Sequence, residues 1–360
     1  MAYLHETVEE YDLRSHIRFG QKVEFSGWDS REALWTTKLS QTGTGELATV
    51  RSRWVFSAGG YYRYDAGYTP QLPGLGNFAG RVIHPQEWPE DLGYAGRRVL
   101  VIGSGATAVT LVPRLARTAA EVVMLQRTPS YVLPLPSRDK LALRLRHWLG
   151  DERAYPLIRR KNITRQRVLW RFSRRFPNAM RRFIRNVNAK QLPEGYPVGT
   201  HFNPPYQPWD QRLCLVPNGD FFAAIRVGAA EVATDKIREF TATGVVLESG
   251  REIDTDIVVT ATGLNVRALG GVELTVDGER VDLSERVSFK GMMLSGVPNF
   301  AYAIGYTNAS WTLKVGLLCE HFCKLLDHMD EHDYVRYVPV DPALEFTHRA
   351  DVPAMSRENA

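Results

Sequence analysis

The fold is decided by residues 99–108, which are Val99-Leu100-Val101-Ile102-Gly103-Ser104-Gly105-Ala106-Thr107-Ala108. The first four residues form a continuous apolar run, which suits a strand buried in a parallel sheet. The next six follow the pattern Gly-x-Gly-x-x-Ala and open a predicted helix. In a dinucleotide-binding turn the first glycine permits a tight bend, the second lets the backbone approach a pyrophosphate, and the small third residue lets the helix pack on the strand. The pattern also occurs in plain turns, but the strand before it and the helix after it predict a cofactor site at Gly103, Ser104, Gly105, Ala106, Thr107 and Ala108.

The next predicted strand, 121–125, is followed by Gln126, Arg127 and Thr128. An NAD site usually has an acid here to hold the ribose hydroxyls. Arg127 instead suits the 2′-phosphate of NADP, because a guanidinium pairs with phosphate through two hydrogen bonds, and Thr128 adds a hydroxyl. The alternative is an exposed arginine at a strand end with no ligand. We expect NADP(H) to be the nucleotide.

A second motif precedes this unit, at residues 78–89, Phe78-Ala79-Gly80-Arg81-Val82-Ile83-His84-Pro85-Gln86-Glu87-Trp88-Pro89. Its spacing, F-x-G-x-x-x-H-x-x-x-W-P, resembles the identifying motif of the flavin-dependent Baeyer-Villiger monooxygenases, the class B flavoprotein monooxygenases. The resemblance extends over nearly all of residues 1–330, with similar blocks at 102–113, 208–220, 290–296 and 305–311.

This resemblance implies an α/β fold with two dinucleotide-binding, Rossmann-like domains, one for FAD and one for NADP. It also implies an NADPH- and FAD-dependent monooxygenase that uses O₂. Oxygen is then transferred through a C4a-peroxyflavin, in Baeyer-Villiger oxidation of a ketone or in S-oxygenation of a sulfide or thioamide. The identity of the substrate and the oligomeric state stay open.

The resemblance also implies a catalytic role for Arg212, at the position of the family's active-site arginine beside the flavin. A fixed guanidinium stabilises an oxyanion without losing its own proton. The alternative is a structural ion pair of Arg212 with Asp210 or Asp220.

Four further residues receive roles from the resemblance. His84 would act in the moving linker that couples NADP binding to oxygenation, although a histidine in such a loop, taken alone, is more often structural. Trp88 would help to set that linker. Thr262 and Gly263 resemble a second glycine-containing turn that approaches the FAD.

The chain departs from the family at both ends. The family begins with a βαβ unit that carries its own Gly-x-Gly-x-x-Gly for the FAD pyrophosphate, and here the first residues resemble the stretch that follows it. Residues 348–360 do not continue the family pattern. We therefore expect a chain truncated at both ends, with an FAD domain that lacks its N-terminal βαβ unit and an intact NADP domain. The rival hypothesis is a non-catalytic NADP-binding fragment that cannot hold FAD.

The domain organisation predicted from these patterns has four parts. Residues 1–91 are expected to be the remnant of the FAD domain with the motif linker, and a Pro- and Gly-rich run at 57–74 is a predicted interdomain linker. Residues 92–228 form the NADP domain with a helical insertion at 138–205. Residues 229–330 return to the FAD domain, and 331–360 are an expected poorly ordered tail.

Composition restricts the class of protein further. The chain has 360 residues, a net charge of +5 and no apolar run long enough to span a membrane. The acidic, polar start at residues 1–12 is unlike a secretory signal, so a cytoplasmic location is expected. Arginines are dense between residues 138 and 190. This pattern is typical of a solvated helical face, and it also suits peripheral contact with an acidic membrane surface. Nucleic-acid binding is not expected, because no module that reads bases accompanies the arginines.

The three cysteines, Cys214, Cys319 and Cys323, give no disulfide framework. They also lack partners at metal-ligand spacing, so no metal site is predicted. We expect all three to be buried as small apolar side chains.

Overall fold

The computed structural model describes residues 2–211, 213–306 and 311–341. Arg212 and the end of the predicted tail, from residue 342, lie outside the described residues. The α-helices of the described residues are α1 Ala2–Glu10, α2 Ala106–Leu115, α3 Lys140–Arg175, α4 Pro177–Ala189, α5 Val198–His201, α6 Asp220–Arg226 and α7 Trp311–Glu331. Their strands are β1 Gln21–Asp29, β2 Leu34–Gln41, β3 Leu47–Ser52, β4 Val55–Ser57, β5 Tyr62–Gly67, β6 Arg81–Ile83, β7 Arg98–Ile102, β8 Glu121–Gln126, β9 Tyr131–Leu135, β10 Leu213–Pro217, β11 Glu231–Thr234, β12 Ile237–Phe240, β13 Gly244–Leu247, β14 Glu252–Asp254, β15 Ile257–Thr260, β16 Leu264–Val266, β17 Glu273–Val276, β18 Glu279–Arg280, β19 Ser288–Phe289, β20 Met293–Leu294 and β21 Phe300–Tyr302.

The chain forms two compact units. The first unit comprises Met1–Arg63 and Val266–Ala360, and the second comprises Tyr64–Asn265. These boundaries differ from the predicted ones at 91/92 and 228/229. The first boundary between the units, between Arg63 and Tyr64, does fall within the Pro- and Gly-rich run at 57–74. The boundaries differ because β6 and β15, which the sequence assigned to the FAD domain, join the same sheet as β7 and β8.

The second unit is built on a five-stranded parallel sheet in the order β11-β8-β7-β15-β6. Successive residues of β7 point to opposite faces, and both faces are buried: Val99 and Val101 join one apolar cluster, whereas Leu100 and Ile102 join another. This explains why the strand is apolar without alternation. Helices α2 and α6 contribute Val112, Phe221 and other residues to the first cluster. The second cluster includes side chains of the antiparallel strands β12, β13 and β14.

The predicted helical insertion corresponds to α3, α4 and α5. Within α3, the φ of 74° and ψ of 166° at Gly150 are not helical, so the long helix is kinked there. Only Ala154 and Ser173 of α3 are buried, whereas α4 contributes Met180 and Ile184 to a cluster with Tyr131 of β9. Helix α3 is therefore mostly exposed.

The first unit contains a mixed sheet in the order β18-β17-β1-β2-β3 and a parallel pair, β4 with β21. Trp28, Trp35 and Phe300 form the centre of one apolar cluster, and the Trp35 indole donates to the backbone carbonyl of Pro298, 3.1 Å away. A second cluster packs α7 through Leu318, Leu325 and Met329.

The expectation of three buried cysteines is wrong for two of them. Cys214 is buried in β10, but Cys319 and Cys323 are exposed. They lie four residues apart on α7, so they share one face of the helix, and that face does not carry its buried leucines. No helix in the described part of the chain is long and apolar enough to cross a membrane.

Candidate functional site

The turn between β7 and α2 has the geometry of a dinucleotide-binding turn. Gly103 has a φ of +134°, and a Cβ there would lie 2.3 Å from the carbonyl oxygen of Ala261, so only glycine fits. Gly105 is the N-cap of α2 and has no side chain to cap the helix. The first amides of α2 have no partner within the helix, which leaves them available for an anion. A pyrophosphate placed at this helix start would also benefit from the helix dipole.

The same letter pattern occurs twice more in the chain, at residues 43–48 and 74–79. The first lies in the hairpin between β2 and β3, and the second lies in a 3₁₀ turn, Leu75–Asn77. Of these three matches, the one at residues 103–108 joins a parallel strand to an α-helix. The strand before and the helix after the glycines therefore distinguish the predicted cofactor turn from the other two matches.

Arg127 and Thr128 follow the last residue of β8 and are both exposed. The hydroxyl of Ser104 lies 3.2 Å from the Thr128 carbonyl oxygen and 2.8 Å from the Ser130 hydroxyl, so it joins the glycine turn to the segment after β8. Among the described residues, no carboxylate forms an ion pair with the Arg127 guanidinium. This cation is available to a ligand.

Gln126, the residue before Arg127, is turned inward and is only 2% exposed. Its amide nitrogen donates to the carbonyl oxygen of His201 and to the hydroxyl of Thr234, each at 2.8 Å. Gln126 is therefore occupied in packing β8 against β11. The first side chain beyond the strand that faces solvent is the arginine.

The Thr262–Gly263 turn follows β15. Gly263 has a φ of +116°, and a Cβ there would meet no atom within 4 Å, so its backbone borders open space. Its carbonyl oxygen accepts hydrogen bonds from the Tyr68 backbone amide at 3.1 Å and from the His84 ring. The Thr262 hydroxyl donates to the Tyr68 carbonyl oxygen at 2.6 Å.

His84 has both ring nitrogens occupied. The Gln86 backbone amide donates to Nδ1 at 3.2 Å, which requires a lone pair on Nδ1. Nε2 must then carry the hydrogen that is donated to the Gly263 carbonyl oxygen at 2.9 Å. These bonds define a neutral ring with its hydrogen on Nε2, which fastens the segment after β6 to the Thr262–Gly263 turn.

Gly67 is a site residue that the sequence analysis did not single out. A Cβ at Gly67 would lie 1.9 Å from Cε1 of His84, so the imidazole rests directly on this glycine. The only signal in the sequence is its place among the glycines and prolines of the predicted linker, and that signal does not distinguish Gly67 from its neighbours.

The two predicted cofactor turns lie next to each other. Strands β7 and β15 are parallel and pair Ile102 with Thr260, so the turns that follow them emerge from the same edge of the sheet. The Ala261 carbonyl packs against Gly103. The structure thus brings together Gly103, Gly263 and His84 within the second unit, at the carboxyl ends of parallel strands, where open α/β sheets bind ligands.

The other two predicted residues are placed differently. Trp88 packs edge-on against Tyr94, with ring centroids 6.2 Å apart, on the edge of the apolar cluster that contains α2. Arg212 lies outside the described residues. Of its two alternative partners, Asp210 accepts a hydrogen bond from Arg174 at 2.8 Å, and Asp220 accepts one from the Phe221 backbone amide at 2.8 Å.

Comparison with known proteins shows which family the chain belongs to. The sequence pattern of the family described as flavin-binding monooxygenase-like matches residues 1–268. Among curated relatives, the FAD-containing monooxygenase EthA of Mycobacterium tuberculosis is 48% identical over 350 residues, which are 97% of this chain and 71% of that protein. The probable FAD-binding monooxygenase AlmA of Acinetobacter baylyi is 43% identical over 339 residues, covering 94% of this chain and 68% of that protein.

Solved structures confirm the α/β fold. An open crystal structure of cyclohexanone monooxygenase matches 96% of this chain and 75% of its own with a TM-score of 0.76 at 24% identity. The cyclohexanone monooxygenase from Rhodococcus sp. Phi1, solved with NADP⁺, matches 92% of this chain and 69% of its own with a TM-score of 0.71, also at 24% identity.

Proposed function

Because this chain belongs to the flavin-binding monooxygenase-like family, we propose that it binds NADPH at the Gly103 turn and serves in NADPH- and FAD-dependent oxygenation of a ketone or a sulfur compound. The observation that carries the proposal is the glycine turn between β7 and α2, with the exposed Arg127 at the end of the next strand. The NADP⁺ bound in the Rhodococcus structure supports the choice of nucleotide.

In this proposal each group of the turn has one task. The amides at the start of α2 hold the pyrophosphate, and Gly103 and Gly105 let it approach the backbone. Arg127 pairs with the 2′-phosphate, assisted by the Thr128 hydroxyl. Ser104 keeps these two parts in register through its bonds to Thr128 and Ser130. The fit of the described residues to NADP is therefore good.

His84 is proposed to link the nucleotide site to the oxygenation site. Its ring fastens the Gly263 carbonyl, and the Thr262–Gly263 turn lies beside the Gly103 turn. A movement of the segment after β6 on nucleotide binding would therefore reach the Thr262–Gly263 backbone directly. Trp88 supports this segment by packing on Tyr94.

FAD fits the described residues less completely. They supply the open backbone of Thr262 and Gly263, but the only strand-turn-helix with Gly-x-Gly in the described ranges is the one that NADP would occupy. When bound, FAD supplies the transfer of electrons from NADPH to O₂. Arg212 is proposed to stabilise the negative charge that would develop beside the flavin during oxygenation, because its guanidinium stays protonated.

The alternative function is NADP binding without flavin. The incomplete FAD contacts favour it, whereas the FAD named for the M. tuberculosis and Acinetobacter relatives favours the enzyme.

The visible absorption spectrum after incubation with FAD and gel filtration separates these functions, followed by O₂ uptake with NADPH. Retained flavin and NADPH-dependent O₂ uptake that rises with an added ketone or sulfide are expected for the monooxygenase. A colourless chain that binds NADPH but consumes no O₂ would contradict the monooxygenase and leave the alternative.

Two further points concern the surroundings of the chain. Helix α3 exposes Trp148 (76% exposed) and Trp170 among many arginines, a composition that suits the surface of an anionic membrane, so we propose peripheral contact of α3 with such a membrane.

The free thiols of Cys319 and Cys323 are exposed, and exposed free thiols favour a reducing compartment. We therefore propose the cytoplasm as its location.

A further inference from the structure

We propose that His328 and Glu331, in the last turn of α7, and His332, the first residue after the helix, form a binding site for a divalent transition-metal ion of the Zn²⁺ class. One candidate ligand atom from each of these side chains lies within 4.8 Å of the others. The site lies in the first unit, and neither the proposed NADPH turn nor any role in oxygenation involves it.

The three residues lie on the same side of the helix end, because His332 follows the last helical residue and its ring stays beside that of His328. His328 and Glu331 are three residues apart, and His328 and His332 are four apart, which are the separations at which helical side chains lie side by side. The two imidazole rings have centroids only 4.3 Å apart. Two histidines and a carboxylate are also the ligand types of open zinc sites, in which the fourth position is left to water or another ligand.

The hydrogen bond of His332 prepares its ring for a metal. Nδ1 of His332 lies 2.9 Å from the carbonyl oxygen of His328, and because a carbonyl oxygen only accepts, Nδ1 carries the hydrogen. The lone pair is then on Nε2. A ring nitrogen that donates to a backbone carbonyl while the other binds the ion is the usual arrangement for a metal-binding histidine. Tyr334 stacks on the same ring at 5.5 Å and 15°.

Electrostatics also favour a cation at this end. The last turn of a helix presents unpaired carbonyls and a partial negative charge. Here Asp327, Asp330 and Glu331 add carboxylates to that end, and Asp330 lies 3.6 Å from Arg53. The Glu331 carboxylate forms no ion pair among the described residues and is exposed. A metal ion would neutralise it. Ligand atoms at zinc are about 3.3 Å apart when each lies at the usual distance of about 2.0–2.2 Å from the ion, so small side-chain rotations close the site.

The test must separate this site from the exposed thiols of Cys319 and Cys323, which are also four residues apart on α7 and would bind Zn²⁺ themselves. The background is therefore the full chain with Cys319→Ser and Cys323→Ser. Zn²⁺ is titrated into the chelator-treated protein by calorimetry near neutral pH, and Co²⁺ is added separately to record its visible absorption. The same titrations are made with His332→Ala, with Glu331→Gln, and with His147→Ala as a control at an exposed histidine of α3.

We expect the background protein to bind one Zn²⁺ per chain. The affinity for Zn²⁺ should be at least about tenfold weaker in His332→Ala, weakened by less in Glu331→Gln, and unchanged in His147→Ala. The visible absorption bands of bound Co²⁺ should be absent in His332→Ala. Circular dichroism without metal should be the same for all variants, and Glu331→Gln, at an exposed helix end, provides the test if His332→Ala does not fold. The proposal would be overturned if the background protein did not bind Zn²⁺ stoichiometrically. It would also be overturned if both His332→Ala and Glu331→Gln bound Zn²⁺ as tightly as the background protein.

Discussion

The imidazole of His84 rests on the backbone of Gly67, and this contact decides how the segment after β6 meets the Thr262–Gly263 turn. Any side chain at position 67 would occupy the space of the ring, because its Cβ would lie 1.9 Å from Cε1. Displacing the ring would in turn break its 2.9 Å hydrogen bond to Gly263. Gly67 is thus a positioning residue for His84.

Replacing Gly67 with alanine should lower the free energy of unfolding by about 1–3 kcal/mol, the usual cost of inserting a methyl group into a packed position. Thermal unfolding measures the change. Gly76→Ala is the matched control, since a Cβ there would meet no atom within 4 Å. If Gly67→Ala unfolded at the same temperature as Gly76→Ala, the close packing of His84 on Gly67 would be refuted.

The sequence predicted part of this site for a physical reason. The Gly103 turn is local, so its strand, glycines and helix are all visible in ten residues. Gln126 and Gly67 depend on contacts outside their own segments: Gln126 bonds to Thr234 in another strand, and Gly67 packs under His84 beyond the next strand. The hydrophobic periodicity of a segment does not show which distant residues it contacts, so neither role could be predicted.

At the scale of elements, the pair Arg98 and Asp256 joins the start of β7 to the loop before β15. The Asp256 carboxylate accepts from the Arg98 side chain at 3.1 Å and from its backbone amide at 2.8 Å. The Arg98 side-chain hydrogen bond, followed by the backbone one, lowers the pKa of Asp256 from its ordinary value of 3.8. This carboxylate therefore helps to hold together the two strands whose turns form the site.

The pKa shift fixes the sign of a pH effect. A carboxyl group with a lowered folded-state pKa stabilises the fold above its ordinary pKa, and the contribution is lost as the pH falls through the folded-state value. Asp256→Asn should therefore lower the melting temperature at neutral pH, and its difference from the unmodified chain should shrink below about pH 4. Melting curves between neutral and acidic pH measure this. A difference that stays constant over the whole range would show that the charge of Asp256 is not responsible. Asp91→Asn, which removes an exposed pair with Arg81, is the control.

Helix α3 provides a second prediction at this scale. Its exposed tryptophans and arginines should bind vesicles that contain an anionic lipid more strongly than neutral vesicles, and salt should weaken the binding. Trp148→Ser should reduce sedimentation with anionic vesicles several-fold, since a tryptophan ring that enters the membrane interface buries a large apolar area. Tyr3→Ser, at an equally exposed aromatic of the first unit, is the control. Equal binding to neutral and anionic vesicles, or no effect of Trp148→Ser, would contradict membrane contact through α3.

At the scale of the whole molecule, the sequence predicted the α/β class, the helical insertion and a first domain interrupted by the second, but not the boundaries of the two units. The continuous apolar run Ile257–Thr260 is typical of a buried strand but does not show which sheet it enters, and Arg81–Ile83 is too short to show a strand pattern. Pairing of Val99 with Ile257 joins residues 158 positions apart, and β6 reaches the sheet only by pairing with β15. The consequence bears on function, because this pairing places both predicted cofactor turns in the second unit.

The central claim is that the second unit binds NADPH through the Gly103 turn and recognises its 2′-phosphate through Arg127. Titration of the chain with NADPH and with NADH, for the unmodified chain, Arg127→Ala and Arg117→Ala, tests it most directly. Arg117 is an exposed arginine just beyond the end of α2, so it controls for the loss of one positive charge.

The account predicts that the unmodified chain and Arg117→Ala bind NADPH at least about tenfold more tightly than NADH, since a hydrogen bond to a charged group contributes about 1.5–3 kcal/mol. Arg127→Ala should bind NADH as before and lose most of the preference for NADPH. Equal affinity of the unmodified chain for the two nucleotides, or an unchanged preference in Arg127→Ala, would contradict it.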